Sequence, residues 1–301
     1  MPRLHLIDAS LYVFRAWHSL PEDLAGADGW PVNAVHGFAR FLLDLLERER
    51  PSHVAVAFDE SLESSFRNAI HPAYKANREP APESLKRQFA LCQQFAEALG
   101  LAVLKDARYE ADDLIGSLLV RQRERGFAGV IVSADKDLSQ LLGPNDLQWD
   151  YARDLRWDAA GVKQRYGVHP HQIADFLGLS GDAVDNIPGV PGIGAKTAVA
   201  LLEHFGSLDA LLARVEELPF LRLRGAASHA ARLREFGNQA RMSRELATIA
   251  LDAPLPEGIG DAARGAVQAA LLEDFFERAR IGPMTRRRAL AQAGPGGSAI
   301  T

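Results

Sequence analysis

At 301 residues and 47% hydrophobic content, the chain is long enough to bury a sizeable core and is expected to form two domains. A single cysteine, Cys92, excludes an internal disulfide framework and fits a reducing, cytoplasmic setting. No apolar stretch approaches the ~20 residues of a membrane span, and the N-terminus lacks a signal-peptide core.

In chain order, the first readable elements are short apolar runs: RLHLID, HVAVAFD and GVIVSAD, each closing on an aspartate (Asp8, Asp59 and Asp135). A fourth run, LAVLKD, leads into an acidic stretch. Helical patterns such as GFARFLLDLLERER and LKRQFALCQQFAEALG lie between them, with apolar residues at three- and four-residue spacing. Strand alternating with helix predicts an α/β domain with a mostly parallel sheet flanked by helices. Sites in such sheets form outside the carboxyl ends of the strands, so Asp8, Asp59 and Asp135 are expected to converge on one edge.

The stretch ARYEADDLIGSLLV places Glu110, Asp112 and Asp113 within four positions at a helix start. A helix N-terminus is satisfied by one or two acids, and more repel one another unless something positive sits between them. Glu110 and Asp113 share a helical face while Leu114, Ile115, Leu118 and Leu119 turn inward. Asp137, two residues beyond Asp135, points the same way in extended chain. For any one acid alone, capping a helix is an equal account. For all of them together it is a poorer one.

The segment LQWDYARDLRWD predicts a small hairpin. Beyond about residue 165 strand-like runs stop, and Gly/Pro-punctuated helices predict a second, all-helical domain. GVPGIGAKT fails the phosphate-binding pattern G-x-x-x-x-G-K-[ST] by one residue, because Ala195 separates Gly194 from Lys196. What remains is a Gly-rich turn opening a helix near Ala195, suited to a backbone phosphate, with Lys196 beside it. Taken alone, that turn fits a tight structural connection slightly better.

The ordered set LIDAS, GWPVNAVHGF, AFDE, FRNAIHPAYKANR, YEADDLIG, SADKDLSQLL and SGDAVDNIPGVPGIGAKTA resembles the 5′-nuclease family over roughly residues 3–250. This family comprises flap endonucleases and 5′→3′ exonucleases that bacteria fuse to DNA polymerase I or keep separate. The resemblance implies a PIN-like fold carrying a C-terminal helix-hairpin-helix-type DNA-binding domain. Its metal-binding acids would be Asp8, Asp59, Glu110, Asp112, Asp113, Asp135, Asp137, Asp182 and Asp185, holding two or more Mg²⁺ or Mn²⁺ ions. Lys75 and Arg78 would act in catalysis with Asp8 and Asp135. DNA contacts would fall to Arg67, Tyr74 (stacking on a base), Lys75, Arg78, Gly189, Gly192, Gly194, Lys196 and Thr197, with K⁺ at the helical turn. Val32 stands where threonine is common in the family and Ala9 where glycine is common.

The resemblance places a catalytic domain over 1–168, with a helical arch at about 60–86 through which single-stranded DNA passes. It is followed by a helical DNA-binding domain over 169–284, with the hairpin motif at about 173–205. A disordered tail is expected over 285–301. With no polymerase domain, a stand-alone monomer is expected, cytoplasmic, with no membrane contact, acting on DNA 5′ flaps or 5′ ends and cooperating with a separate polymerase.

The net charge of −5 at first reads against nucleic acid, but nine acids assigned to metals leave 30 against 34 basic residues. Arg67, Lys75 and Arg78 form one basic cluster; Arg222, Arg224, Arg232 and Arg234 form another, which on a helix face is usually solvated surface. Two other readings are a PIN-like ribonuclease and a catalytically inactive structure-specific DNA-binding protein.

Overall fold

The computed structural model describes residues 1–60 and 65–292. In chain order the elements are β1 (Arg3–Asp8), α1 (Ala9–Ser19), α2 (Asn33–Glu49), β2 (His53–Asp59), α3 (Arg67–Ile70), α4 (Glu83–Ala98), β3 (Ala102–Asp106), α5 (Ala111–Arg123) and β4 (Ala128–Val132). They continue with β5 (Leu147–Asp150), β6 (Leu155–Trp157), α6 (Ala159–Tyr166), α7 (Ile173–Ser180), α8 (Ala195–Phe205), α9 (Leu208–Ala213), α10 (Ala226–Ala247), α11 (Ala269–Arg278) and α12 (Pro283–Leu290). No helix of the described residues is long and apolar enough to cross a membrane.

Packing divides the chain into two compact units, the first comprising Met1–Glu60, Pro80–Ala134 and the segment from Leu251, the second Ser61–Glu79 and Asp135–Ala250. In the first unit four parallel strands lie in the order β3-β2-β1-β4. The side chains of β1, β2 and β4 are buried almost throughout, as expected of apolar strands covered on both faces, whereas β3 at the edge buries only Leu104. Helix α5 packs across all four strands, while α1 and α4 pack against β2 and β3. Asp8 stands opposite Ala57, so Asp59, two residues on, closes the neighbouring strand on the same sheet face.

The chain returns to this unit at its end. Phe275 on α11 stacks on Phe95 with ring centroids 4.7 Å apart. Arg288 on α12 grips Glu47 through two bonds of 2.8 Å and also donates to Asp44, both on α2. The tail expected from 285 therefore needs correction: residues 285–290 belong to a helix pinned by Arg288, and only 293–301 lie outside the described residues.

The second unit holds the antiparallel β5–β6 hairpin and helices α6 to α10, with α10 packed on α7. The expected arch also needs correction. Ser61–Ser64 lie outside the described residues, and between Ser65 and Pro82 the chain forms one four-residue helix, α3, followed by turns. Pro72, Pro80 and Pro82 restrict helix propagation there.

Arg67 anchors this segment. It is 3% exposed, its Nε donates to the Leu246 carbonyl (2.7 Å) and Nη2 to that of Thr248 (2.9 Å), at the end of α10. It thus satisfies helix-terminal carbonyls, and its expected DNA contact is not available to a buried side chain. Arg67→Ala is expected to lower unfolding free energy by about 2–4 kcal/mol, the scale of losing charged hydrogen bonds that leave acceptors unpaired. Denaturant titration checks this.

Candidate functional site

In the first unit, acids from two strand ends and one helix start are tied to the backbone. Asp8 caps α1 by accepting the Leu11 N–H (3.3 Å), and its second oxygen accepts the Ser133 hydroxyl (2.9 Å). Asp59 donates its N–H to Ser10 Oγ (2.9 Å) and accepts the Ala111 N–H (2.8 Å), the first amide of α5. Asp113, fully buried in the first turn of α5, accepts the Glu110 N–H (3.0 Å); Asp112 is half-buried beside it. Capping is therefore real for Asp8, and Asp59 and Asp113 bond backbone amides at the start of α5. It does not account for the number. Asp59, Glu110, Asp112 and Asp113 bring four carboxyl groups to one helix N-terminus, where the dipole tolerates negative charge but does not neutralise it.

In the second unit, Asp135 and Asp137 depart from their expected placing. β4 ends at Val132, the partner of Ile7, and the chain leaves the sheet before Asp135. Asp137 opens a 3-10 helix rather than continuing an extended chain, and its N–H donates to Asp135 Oδ1 (2.9 Å). Gln148 fixes the turn by donating to the Asp135 carbonyl, and itself accepts the Ser139 hydroxyl (2.6 Å).

Asp182 and Asp185 occupy a tight loop closed by reciprocal backbone bonds between Asp182 and Ile187, with Asp182 Oδ1 accepting the Val184 N–H (2.7 Å). Onto this loop packs the segment from Ala73. Asn77 Nδ2 donates to the Ala183 carbonyl (2.8 Å), Asn186 Nδ2 to that of Ala73 (2.6 Å), and Lys75 N–H to that of Asp185 (3.0 Å). Arg78 bonds the Asp185 carboxylate, with Lys75 Nζ 3.9 Å from the same group and the Tyr74 hydroxyl donating to it at 3.4 Å. Lys75 and Arg78 thus lie beside the candidate ligand Asp185.

A residue unassigned from sequence, Lys136, bonds Asp182 and lies 3.6 Å from Asp137 Oδ1. Its only signal in the sequence is its place between two acids of SADKD. Burial pushes the Asp137 carboxyl up to about 8, with the Asp135 carboxylate adding to the rise. Burial would also raise Asp182, but the Lys136 ammonium holds it below the usual carboxylate value. Lys136 in turn, despite burial, is held above the ordinary lysine value by Asp137 and Asp182.

Among the described residues no three His, Cys, Asp or Glu side chains form a ready-made metal cage. The donor set nevertheless fits a hard divalent cation. The candidates are all carboxylates, and Asp137 Oδ1 is buried without a hydrogen-bond partner. Oxygen-only donors favour Mg²⁺ or Mn²⁺ over softer metals.

The remaining candidates divide by exposure. Gly192 (φ +81°), Gly194 and Lys196 are exposed, Thr197 is half-buried, and α8 has Gly194 at its N-cap position, with no side-chain cap. Gly189 is corrected from DNA contact to packing. At φ +60° it is buried, and a Cβ there would stand 2.2 Å from the Gly181 nitrogen. Tyr74 is likewise corrected, since at 3% exposure its ring offers no face to a base. Of the second basic cluster, Arg222, Arg224 and Arg232 are exposed, whereas Arg234 forms a two-pronged pair with Glu216 (2.8 and 2.6 Å).

Comparison with known proteins places these observations in a family. A 5′-3′ exonuclease N-terminal resolvase-like domain matches residues 3–167, and a 5′-3′ exonuclease C-terminal SAM fold matches residues 168–270. A 5′-3′ exonuclease of Aquifex aeolicus is 37% identical over 217 residues, covering 72% of this chain and 74% of that protein. DNA polymerase I of Rhizobium leguminosarum is 39% identical over 259 residues, covering 84% of this chain and 25% of the polymerase. The chain thus spans about a quarter of that relative's length.

Among solved structures, T5 5′-exonuclease with bound zinc matches with a TM-score of 0.66 at 18% identity, covering 96% of this chain and 97% of the other. The catalytic core of Rad2 with a DNA substrate matches at 0.64 and 12% identity, covering 96% and 91%. They share the fold, a mostly parallel PIN-like sheet flanked by helices with a helical C-terminal domain. With its two domain matches in tandem, this chain belongs to the 5′-3′ exonuclease family.

Proposed function

We propose that the chain is a divalent-metal-dependent 5′→3′ exonuclease and 5′-flap endonuclease acting on DNA. The carrying observation is that the nine candidate acids fall into two groups, one in each unit: five at the strand ends and α5 N-terminus of the first, four in the second with Lys75 and Arg78 beside Asp185. Mg²⁺ or Mn²⁺, when bound, supplies an activated water and neutralises charge on the phosphodiester. The carboxylates hold the ions, Lys75 and Arg78 meet phosphate oxygens, and no side chain serves as nucleophile.

The expected boundary at 168/169 is not where packing divides the chain, because Asp135–Ala250 belong to the second unit and the chain from Leu251 to the first. Metal binding is therefore assigned to acids of both units, and duplex binding to the helical part of the second. The exposed turn Gly192–Lys196 holds a duplex phosphate, with K⁺ at the same turn. Cooperation with a DNA polymerase activity belongs to the same reading, supported by the likeness to DNA polymerase I.

Flap DNA, duplex RNA and single-stranded RNA, each incubated with and without chelator, test this reading. Chelator-sensitive cleavage of flap DNA supports it. Cleavage confined to RNA, or flap binding with no cleavage in saturating Mg²⁺, overturns it.

The turn carries its own prediction. Backbone N–H groups grip phosphates without reading bases, so affinity should fall steeply with salt and vary little with sequence. Lys196→Ala is expected to weaken binding of duplex-armed substrates severalfold and to spare short single strands, as measured by fluorescence anisotropy. Equal losses on both substrates would contradict it.

A further inference from the structure

Lys136 has no part in the reading above, yet it engages two of the second unit's candidate ligands at once. Its Nζ bonds Asp182 and lies 3.6 Å from Asp137 Oδ1, so one ammonium bridges two of the four carboxylates in that group. Asp137 Oδ1 is buried without a hydrogen bond of its own. The turn that carries Lys136 is fixed on either side of it: Asp135 accepts the Asp137 N–H across it, and Gln148 on β5 holds the Asp135 carbonyl. The ammonium therefore sits where buried negative charge needs a counter-ion, not on an outer rim.

We propose that Lys136 is a positioning residue that occupies, as an internal counter-ion, carboxylates which a divalent cation requires. Binding of the ion at Asp135, Asp137, Asp182 and Asp185 is then an exchange in which the lysine leaves Asp182. This inference rests on the proposed metal-dependent function. The physical consequence has a definite sign. An ion that must displace a close ion pair binds more weakly than one meeting free carboxylates, because the lost contact offsets part of the new one. The lysine keeps the acids together in the metal-free protein and lowers metal affinity in the same act. Lysine suits this role better than arginine, since its compact ammonium sits on a flexible stem and can swing away without breaking a two-pronged fork.

A purely structural ion pair predicts the opposite. Removing its positive charge would leave Asp137 and Asp182 without their bridging cation, while Asp185 keeps Arg78 and Lys75, and the group would spread and bind metal more weakly.

Calorimetric titration of the full chain with Ca²⁺, which requires no turnover, separates the two. Lys136→Met is expected to tighten one class of sites by about tenfold or more, the factor that corresponds to about 1.4 kcal/mol, and to leave the other class unchanged. Lys136→Arg should bind Ca²⁺ no more tightly than the parent, since it retains a cation. In an Asp182→Asn background, Lys136→Met should give a clearly smaller gain, because the contact with Asp182 is already gone and only the one with Asp137 remains. Should Lys136→Met fold poorly without metal, Lys136→Gln titrated in its place carries the same expectation.

Unchanged or weaker Ca²⁺ binding in the charge-removing variants overturns the inference while leaving the nuclease reading intact. If neither parent nor variant binds divalent ions at millimolar concentration, the metal-dependent reading itself fails.

Discussion

Asp135→Asn is expected to abolish cleavage of a 5′-flap substrate while duplex binding survives or tightens. The substitution is conservative in shape. An asparagine Oδ1 still accepts the Asp137 N–H, now at 2.9 Å, and Gln148 still holds the residue 135 carbonyl, so the turn is preserved. What is lost is one negative charge from a group of four. That weakens the hold on a divalent ion and lessens repulsion of the phosphate, so chemistry and affinity move in opposite directions. Single-turnover cleavage and anisotropy on the same preparation check both halves. Substantial cleavage by the variant in saturating Mg²⁺ would remove Asp135 from the ligand set.

Lys75→Ala is expected to lower the single-turnover rate by about 10²-fold or more, the scale of losing one preorganised donor to a developing oxyanion. Lys75 sits at φ +55°, a left-handed conformation costly for a residue with a Cβ, and is held there by its N–H bond to Asp185. Its ammonium is 3.9 Å from Asp185 and 5.1 Å from the centre of the Tyr74 ring, a site among candidate ligands rather than on a solvated face. A cation that meets phosphate oxygens mainly in the transition state raises rate more than affinity. Affinity measured in Ca²⁺ should therefore change far less. Weakened binding with an unchanged rate would make Lys75 a steering charge only.

Sequence patterning was sufficient for the parallel strands because burial on both faces demands continuous aliphatic runs, and RLHLID and HVAVAFD are such runs. It misled at GVIVSAD. The run reads as strand up to Asp135, but pairing with β1 ends at Val132, and Ser133 turns its hydroxyl to Asp8. Only the neighbouring strand determines where a ladder stops.

Exposure was similarly hidden. Arg67 and Tyr74 have the chemistry of DNA contacts, yet both are buried, Arg67 because α10 ends beside it with carbonyls to satisfy. Gly189 sits in a motif with exposed Gly192 and Gly194, and only its close approach to Gly181 assigns it to packing. Lys136 is not legible in SADKD alone, because the ammonium meets Asp182, which lies 46 positions further along the chain. The acids themselves were legible, since so many carboxylates at strand ends and a helix start exceed what capping needs.

The most direct test of the account is cleavage of a 3′-end-labelled 5′-flap duplex, with products mapped at nucleotide resolution in Mg²⁺ and again in chelator. The account predicts a labelled product starting near the flap junction, shortening from its 5′ side with time, and absent in chelator. Undiminished cleavage in chelator, or loss of nucleotides from the 3′ end alone, would contradict it.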